Sequence, residues 1–303
     1  MPKRVFITGS STGFGRDTAQ RLARRGDYVF ATMRDVEGRN AHHREALEDL
    51  ASREGLRLRV LALDVTDQAS VDNAIAEAVN EAGGLDVVIN NAGIAAIGVT
   101  EAFTPEQFEH IFAVNVHGIV RVNRAVLPSM RRQRSGLLIH VSSGAGRVTI
   151  PALAAYCASK YALEAIADAY RYELLPFGVD SILVEPGVYR TGIHDRWIYP
   201  ADAARLADYG GTAEFAQRVD GVFQGIVSAP DAPGSGEVVD ALAALIDMAP
   251  ERRPFRTVVS APIQQLLDSY NASADALRPI VAQIFNVPEL AGSPPEIATT
   301  STI

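Results

Sequence analysis

Apolar, β-rich runs recur along this chain with helix-forming sequence between them. They are Arg4-Val5-Phe6-Ile7, Tyr28-Val29-Phe30-Ala31, Leu58-Arg59-Val60-Leu61, Asp86-Val87-Val88-Ile89, Leu137-Leu138-Ile139-His140-Val141 and Ser181-Ile182-Leu183-Val184, and Val258-Val259 belongs to a short seventh. Alternation of this kind predicts a parallel sheet with helices on both faces. The expected fold class is therefore α/β: a doubly wound, seven-stranded parallel sheet in a single domain spanning 1–287. A length of 303 residues would also permit two smaller domains, so motif placement has to decide between them.

Thr104 before Pro105 and Glu106 reads as an N-cap followed by proline at the first helical position, and predicts a helix running to about residue 133. A second long helix is expected from about 153 to 177, where Ala, Leu, Glu and Tyr dominate and Gly178 lies just past the end. From 188 to 236 the pattern loosens into Gly, Pro, Ala and Asp, with weak helices near 201–209 and 213–227. A loop region of that length inside a compact domain reads as a binding element or lid. Over 288–303 the residues turn to Pro, Ser and Thr, and a disordered tail is expected.

With 48% hydrophobic and 21% charged residues the chain has the proportions of a globular protein, and its net charge of -8 argues against a nucleic-acid partner. The Arg131-Arg132-Gln133-Arg134 run falls where a helix should end, which reads as cations at the negative terminus. Cys157 is the sole cysteine, so no intramolecular disulfide can form and a reducing compartment suits the chain. The first strand at Arg4 leaves no room for a secretory leader, and no apolar run approaches the roughly 20 residues that a membrane span needs. A cytoplasmic location follows as the expectation. The six histidines show no metal spacing, and the adjacent pair His42 and His43 cannot face one ion from a helix, so no metal site is expected.

Directly after the first run comes Thr8-Gly9-Ser10-Ser11-Thr12-Gly13-Phe14-Gly15, leading into a helix that begins near Arg16. Glycines there let the backbone turn tightly and let a pyrophosphate approach amide groups at a positive helix end. Standing alone, such a cluster is also what an ordinary strand-to-helix turn contains. Further along come Asp64 at the end of the third run, Asn90-Asn91-Ala92-Gly93 after the fourth, Asn115 in Val114-Asn115-Val116-His117-Gly118, and Ser142-Ser143 after the fifth. Tyr156-Cys157-Ala158-Ser159-Lys160 opens the next helix, where positions i and i+4 share a face and bring the ammonium near the phenol. Each alone is commonplace, a cap, a turn or a surface pair. Their joint occurrence in this order is not, because independent coincidences multiply.

The ordered set, completed by Pro186-Gly187-Val188-Tyr189-Arg190-Thr191, resembles the short-chain dehydrogenase/reductase superfamily over roughly residues 4–260, with Ser143 thirteen positions before Tyr156 as in that family. The resemblance implies a Rossmann-type fold and a nicotinamide dinucleotide cofactor. It implies cofactor contacts from Gly9, Ser11, Thr12, Gly13, Phe14 and Gly15 at the pyrophosphate, and from Asp64 and Val65 at the adenine. Asn91, Ala92 and Gly93 follow as further contacts. Pro186, Gly187, Val188 and Thr191 would lie at the nicotinamide, with Tyr156 and Lys160 near its ribose. It also implies a catalytic set of Asn115, Ser143, Tyr156 and Lys160. A free tyrosine titrates near 10, and the Lys160 cation, together with oxidised nicotinamide, is expected to bring Tyr156 towards the working range. Ser143 would fix the substrate oxygen, and Asn115 would keep a water linked to Lys160.

For the cofactor's identity, Arg34 after Met33 matches the arginine that NADP-users in the family turn towards the 2′-phosphate, and NADP(H) is favoured. The competing reading takes Asp35 as the acid that selects NAD(H). The Ala31-to-Asp35 ending resembles the steroid and retinol dehydrogenase branch, which suggests a fairly apolar carbonyl or alcohol as substrate. Val148, Ile150, Leu153, Trp197 and Tyr199 are candidates for its wall. His194, Asp195 and Arg196 read as a solvated loop face or as contacts to a polar substrate group. The resemblance further implies a homodimer or homotetramer packed through the helices led by Pro105 and Leu153. Rival readings are a non-catalytic cofactor-binding sensor of the same fold, a sugar-nucleotide epimerase or dehydratase, and a keto-acyl carrier reductase.

Overall fold

The structure, a computed structural model, describes residues 1–287, so the expected tail lies outside the described residues. Seven strands form one sheet: β1 (Arg4–Ile7), β2 (Tyr28–Met33), β3 (Leu58–Ala62), β4 (Val87–Asn90), β5 (Gly136–Val141), β6 (Val179–Pro186) and β7 (Arg256–Val259). Their order is β3-β2-β1-β4-β5-β6-β7, and every neighbouring pair is parallel. The crossovers are α1 (Gly13–Arg24), α2 (Ala41–Glu54), α3 (Gln68–Ala82), α4 (Pro105–Phe112), α5 (Gly118–Gln133) and α6 (Ala154–Leu174). Then follow α7 (Ala203–Asp208), α8 (Gly211–Ser228), α9 (Gly236–Asp247) and α10 (Gln264–Ile284).

The strands are apolar on both sides because both sides are covered. Val5, Ile7, Val29, Ala31, Val87 and Ile89 face one layer, where they meet Ala19 and Leu22 of α1 and Val238 and Leu242 of α9. Phe6, Phe30, Val88 and Leu138, one residue out of phase, face the other and meet Ile75 of α3 and Val122, Val126 and Met130 of α5. Each such fully buried side chain contributes about 1.5–3 kcal/mol of transfer free energy, so a one-residue slip of any strand would be strongly opposed.

The expected helix of 105–133 is present with one change. Thr104 caps α4 through a reciprocal pair of bonds with Gln107, but the ladder widens into a π turn at Ala113–His117 before α5 continues. Arg131 and Arg132 occupy the last turn of α5, at the negative helix end. The helix of α6 stops at Leu174, a tighter turn follows, and Gly178 takes the left-handed φ of 67°. The segment from 188 to 236 carries α7 and α8, close to the two expected weak helices.

The C-terminal helix is tied down by buried ions. Arg256 on β7 pairs with Glu164 of α6 at 2.9 Å and with Asp275 of α10 at 2.9 Å. Asn271 of α10 donates to Glu185 of β6 at 2.7 Å; burial, with Glu164 nearby, raises the Glu185 carboxyl above the usual range. Among the described residues no helix is long and apolar enough to cross a membrane, and no cluster of His, Cys, Asp and Glu is arranged to hold a metal.

Candidate active site

Strand order reverses between β1 and β4, and at such a switch point the carboxyl ends of the strands leave a crevice for a ligand. A cleft of about 1360 Å³ opens there. Its floor is stitched from two loops. The Thr8 hydroxyl accepts from the amides of Asn91 and Ala92, both at 3.0 Å, and the Asn91 side chain donates to the carbonyls of Thr8 at 2.9 Å and Gly9 at 3.0 Å. Gly9 has φ of 71°, and a Cβ on it would sit 2.8 Å from the Ala92 Cα, so both conformation and space demand glycine.

A dinucleotide fits this cradle. Thr12 ends the turn without a side-chain cap, the first turn of α1 holds no acid, and Gly13 and Phe14 border the cleft. The uncapped amides at the positive end of α1 are thus free for a phosphate. Ser11, Thr12, Arg34, Asp64, Val65, Asn91, Ala92, Gly93, Pro186, Gly187, Val188 and Thr191 also line the cleft. Gly15 does not; it lies beneath the turn, where a Cβ would collide with the Gly9 carbonyl and the Asn91 amide. Asp64 accepts from the Thr66 amide and hydroxyl at 2.8 and 2.7 Å. Burial opposes its ionisation, but those bonds and the charges of Arg34 and Arg39 hold its carboxyl below the ordinary value.

Asp35, the alternative selecting acid, has φ of 50° and turns its carboxylate back onto its own loop, accepting from the Arg39 amide at 3.0 Å. It does not border the cleft, whereas Arg34 does.

At the other end of the cleft, Ser143 follows β5 and Tyr156 stands in the first turn of α6, with Lys160 one turn further. All three line the cavity. Lys160 is buried; its Nζ donates to the Val141 carbonyl at 2.9 Å and lies 5.8 Å from the centre of the Tyr156 ring. The expected lowering of the phenol is not what these residues produce by themselves. Enclosure by protein pushes Tyr156 up to about 12, against a smaller downward pull from the Ser143 hydroxyl. The same desolvation brings Lys160 down to about 8, with Glu164 acting weakly the other way. At about 8 the Lys160 ammonium is still mostly charged at pH 7, and its Nζ is engaged by the Val141 carbonyl.

Asn115 sits in the π turn, buried, and does not border the cleft. Its Oδ1 accepts from the Ile94 amide at 2.9 Å, and its Nδ2 donates to the Ile94 carbonyl at 2.8 Å and the Ser159 hydroxyl at 3.0 Å. The amide therefore pins the loop after β4 to α6.

The sequence profile for short chain dehydrogenases matches residues 3–199. The chain belongs to that family. Among similar proteins are an uncharacterized oxidoreductase, YusZ, of Bacillus subtilis, 39% identical over 193 residues, which are 63% of this chain and 66% of that one. A 3-ketodihydrosphingosine reductase of Bacteroides thetaiotaomicron is 37% identical over 64% of this chain and 66% of its own length. The match thus spans just under two thirds of these relatives. A solved short-chain dehydrogenase from Streptomyces avermitilis shares 27% identity and a TM-score of 0.72, covering 94% of this chain and 98% of that one. A solved family member from Burkholderia phymatum, in complex with NAD, has the same fold with a TM-score of 0.73 at 23% identity, covering 100% of this chain and 98% of its own.

In this short-chain dehydrogenase the far half of the cleft is apolar. Val148, Ile150, Leu153 and Trp197 line it as the sequence suggested, but Tyr199 does not; it is 55% exposed and donates to Asp220 at 2.9 Å. Phe223 and Ile226 of α8 join the wall, and so do Ile263, Leu266 and Leu267 at the start of α10. These were missed because the matching motifs end near residue 260. The apolar start of α10 was the available signal. Arg39, His42 and His43 were missed as well, and border the end of the cleft near Arg34.

Proposed function

We propose that this chain is an NADP(H)-dependent oxidoreductase that interconverts a carbonyl and a primary or secondary alcohol, with Tyr156 as the general acid and base. The carrying observation is the meeting of Tyr156, Ser143 and Lys160 in one cleft with the glycine turn. The bound nicotinamide supplies or accepts the hydride. The residues of the chain do the rest. The uncapped start of α1 holds phosphate, and Asp64 with Val65 borders the adenine position. Tyr156, kept neutral by burial, presents an O–H to the substrate oxygen in the reductive direction, and Ser143 donates to that same oxygen. Lys160, near 8, exchanges a proton in the working range and stands where the ribose would lie. Asn115 acts through position, by fixing Ile94 and α6.

Arg34 at the cleft and Asp35 turned away support NADP(H) over NAD(H). The apolar wall, together with relatives named retinol dehydrogenase and 3-ketodihydrosphingosine reductase, supports an apolar carbonyl or alcohol as substrate. The reading includes a cytoplasmic homo-oligomer built on one domain of 1–287 with 188–236 as the lid. The test is titration with NADPH and NADH, then turnover on steroids, retinoids, acyl thioesters and small ketones. Tyr156→Phe should abolish turnover while NADPH affinity stays within about twofold of wild type. A Tyr156→Phe protein that reduces substrate at the wild-type rate would overturn the mechanism.

A further inference from the structure

The end of the cleft beyond the glycine turn collects basic side chains from three separate parts of the chain. Arg34 directly follows β2, Arg39 and the pair His42 and His43 belong to the turn into α2 and its first turn, and Arg196 comes from the lid. All five border the same cavity. Arg39 has only a 4.0 Å approach to Asp35, and among the described residues Arg34 and Arg196 form no salt bridge.

Arg196 is placed there by the chain that follows Thr191. A methyl group on Gly192 would sit 3.8 Å from the Thr12 hydroxyl of the glycine turn, 3.9 Å from Asp195 and 4.0 Å from an Nη of Arg196. The lid guanidinium and the start of α1 therefore flank one glycine. Burial first, then the charges of His42, Arg196 and Arg16, hold the His43 imidazole below its ordinary value, which puts lid and α2 in one electrostatic neighbourhood. Among the groups lining this end of the cleft the guanidiniums of Arg34, Arg39 and Arg196 outnumber the Asp64 carboxylate, and a surplus of positive charge is relieved by a dianion that bridges its members.

We propose that Arg196 is a lid-borne ligand of the cofactor's 2′-phosphate, which it shares with Arg34 and the start of α2, so that lid closure itself reads NADP against NAD. The inference rests on the NADP(H) reading above. Two elements remote in sequence then grip one phosphate, and the lid is drawn over the cleft by the cofactor before any substrate arrives.

Trp197, the sole tryptophan, makes the test direct. Its ring is buried against His194 at 5.2 Å and Phe223 at 5.6 Å, so its emission reports the lid. The probes are adenosine 2′,5′-bisphosphate and adenosine 5′-monophosphate, which differ by the 2′-phosphate alone. Wild type should bind the bisphosphate at least tenfold more tightly, with a shift in Trp197 emission that the monophosphate does not cause. Arg196→Gln should cut that preference about tenfold and remove the shift, and Arg196→Lys should restore part of both. If wild type shows no preference, the NADP(H) reading fails and this inference with it. If wild type prefers the bisphosphate and Arg196→Gln does so equally, the reading stands and Arg196 has no part in it. Equal weakening of both probes would also overturn the assignment, since it would place Arg196 at the 5′-phosphate.

Discussion

Replacing Lys160 by methionine should make the chain more stable while removing its function. Lys160 is 5% exposed, and desolvation lowers its ammonium from 10.5 to about 8. At about 1.36 kcal/mol per tenfold change in equilibrium constant, holding that charge in the folded chain at pH 7 costs about 3 kcal/mol. The bond from Nζ to the Val141 carbonyl offsets about 1–2 kcal/mol of this and is lost in the variant. Lys160→Met, close in volume, should therefore gain roughly 1–2 kcal/mol at pH 7. The pH dependence is the sharper signature. Because the folded-state value lies below the unfolded one, the ammonium opposes folding most strongly below about pH 8, and that opposition fades as the pH rises from 8 towards 10.5. Wild type should thus recover about 1 kcal/mol relative to the variant between pH 7 and pH 9. Urea unfolding of both proteins without cofactor, at the two pH values, measures this. A variant less stable than wild type at pH 7, or a difference that does not change with pH, would refute the reasoning.

Gly9→Ala combines left-handed strain of about 1–2 kcal/mol with a Cβ 2.8 Å from the Ala92 backbone, so it should weaken NADPH binding at least tenfold; unchanged affinity in a nucleotide titration would count against the stitched floor. Burial lowers His140 from 6.5 to about 3, so wild type keeps the associated stability above pH 6.5 and loses it as the pH falls towards 3, by up to about 1.4 kcal/mol per pH unit. His140→Gln should flatten that slope in unfolding measured at pH 6 and pH 5, and an identical slope would show that His140 does not set it.

Features specified by neighbouring residues were the ones legible in the sequence. Strand positions follow from runs such as Val87-Val88-Ile89, and the glycine turn follows from a backbone need that Gly9 announces by itself. The α4 cap is local too, since Thr104 and Gln107 satisfy each other. What was not legible depends on packing between distant segments. Asn115 reads as a polar residue on a helix, and only the approach of Ile94 and Ser159 shows where its amide is spent. The wall formed by Ile263, Leu266 and Leu267 exists because Arg256 draws Asp275 and α10 onto α6, an ion pairing between residues far apart in sequence. The effect of burial on Tyr156 was not legible for the same reason: spacing along α6 gives proximity to Lys160, but desolvation is set by the whole fold.

The π turn at Ala113–His117 also means that the shaft running from Pro105 to Gln133 is two helices out of phase with each other. Ile111, before it, packs with Ala155 at the start of α6, while Val122, Val126 and Met130, after it, pack beneath the sheet. An α-helix advances about 100° per residue, so deleting one residue here would bring the halves into register only by swinging one of those apolar faces a quarter-turn from its partner. The extra residue is what allows one rod to serve two cores, and natural length variation should avoid this turn.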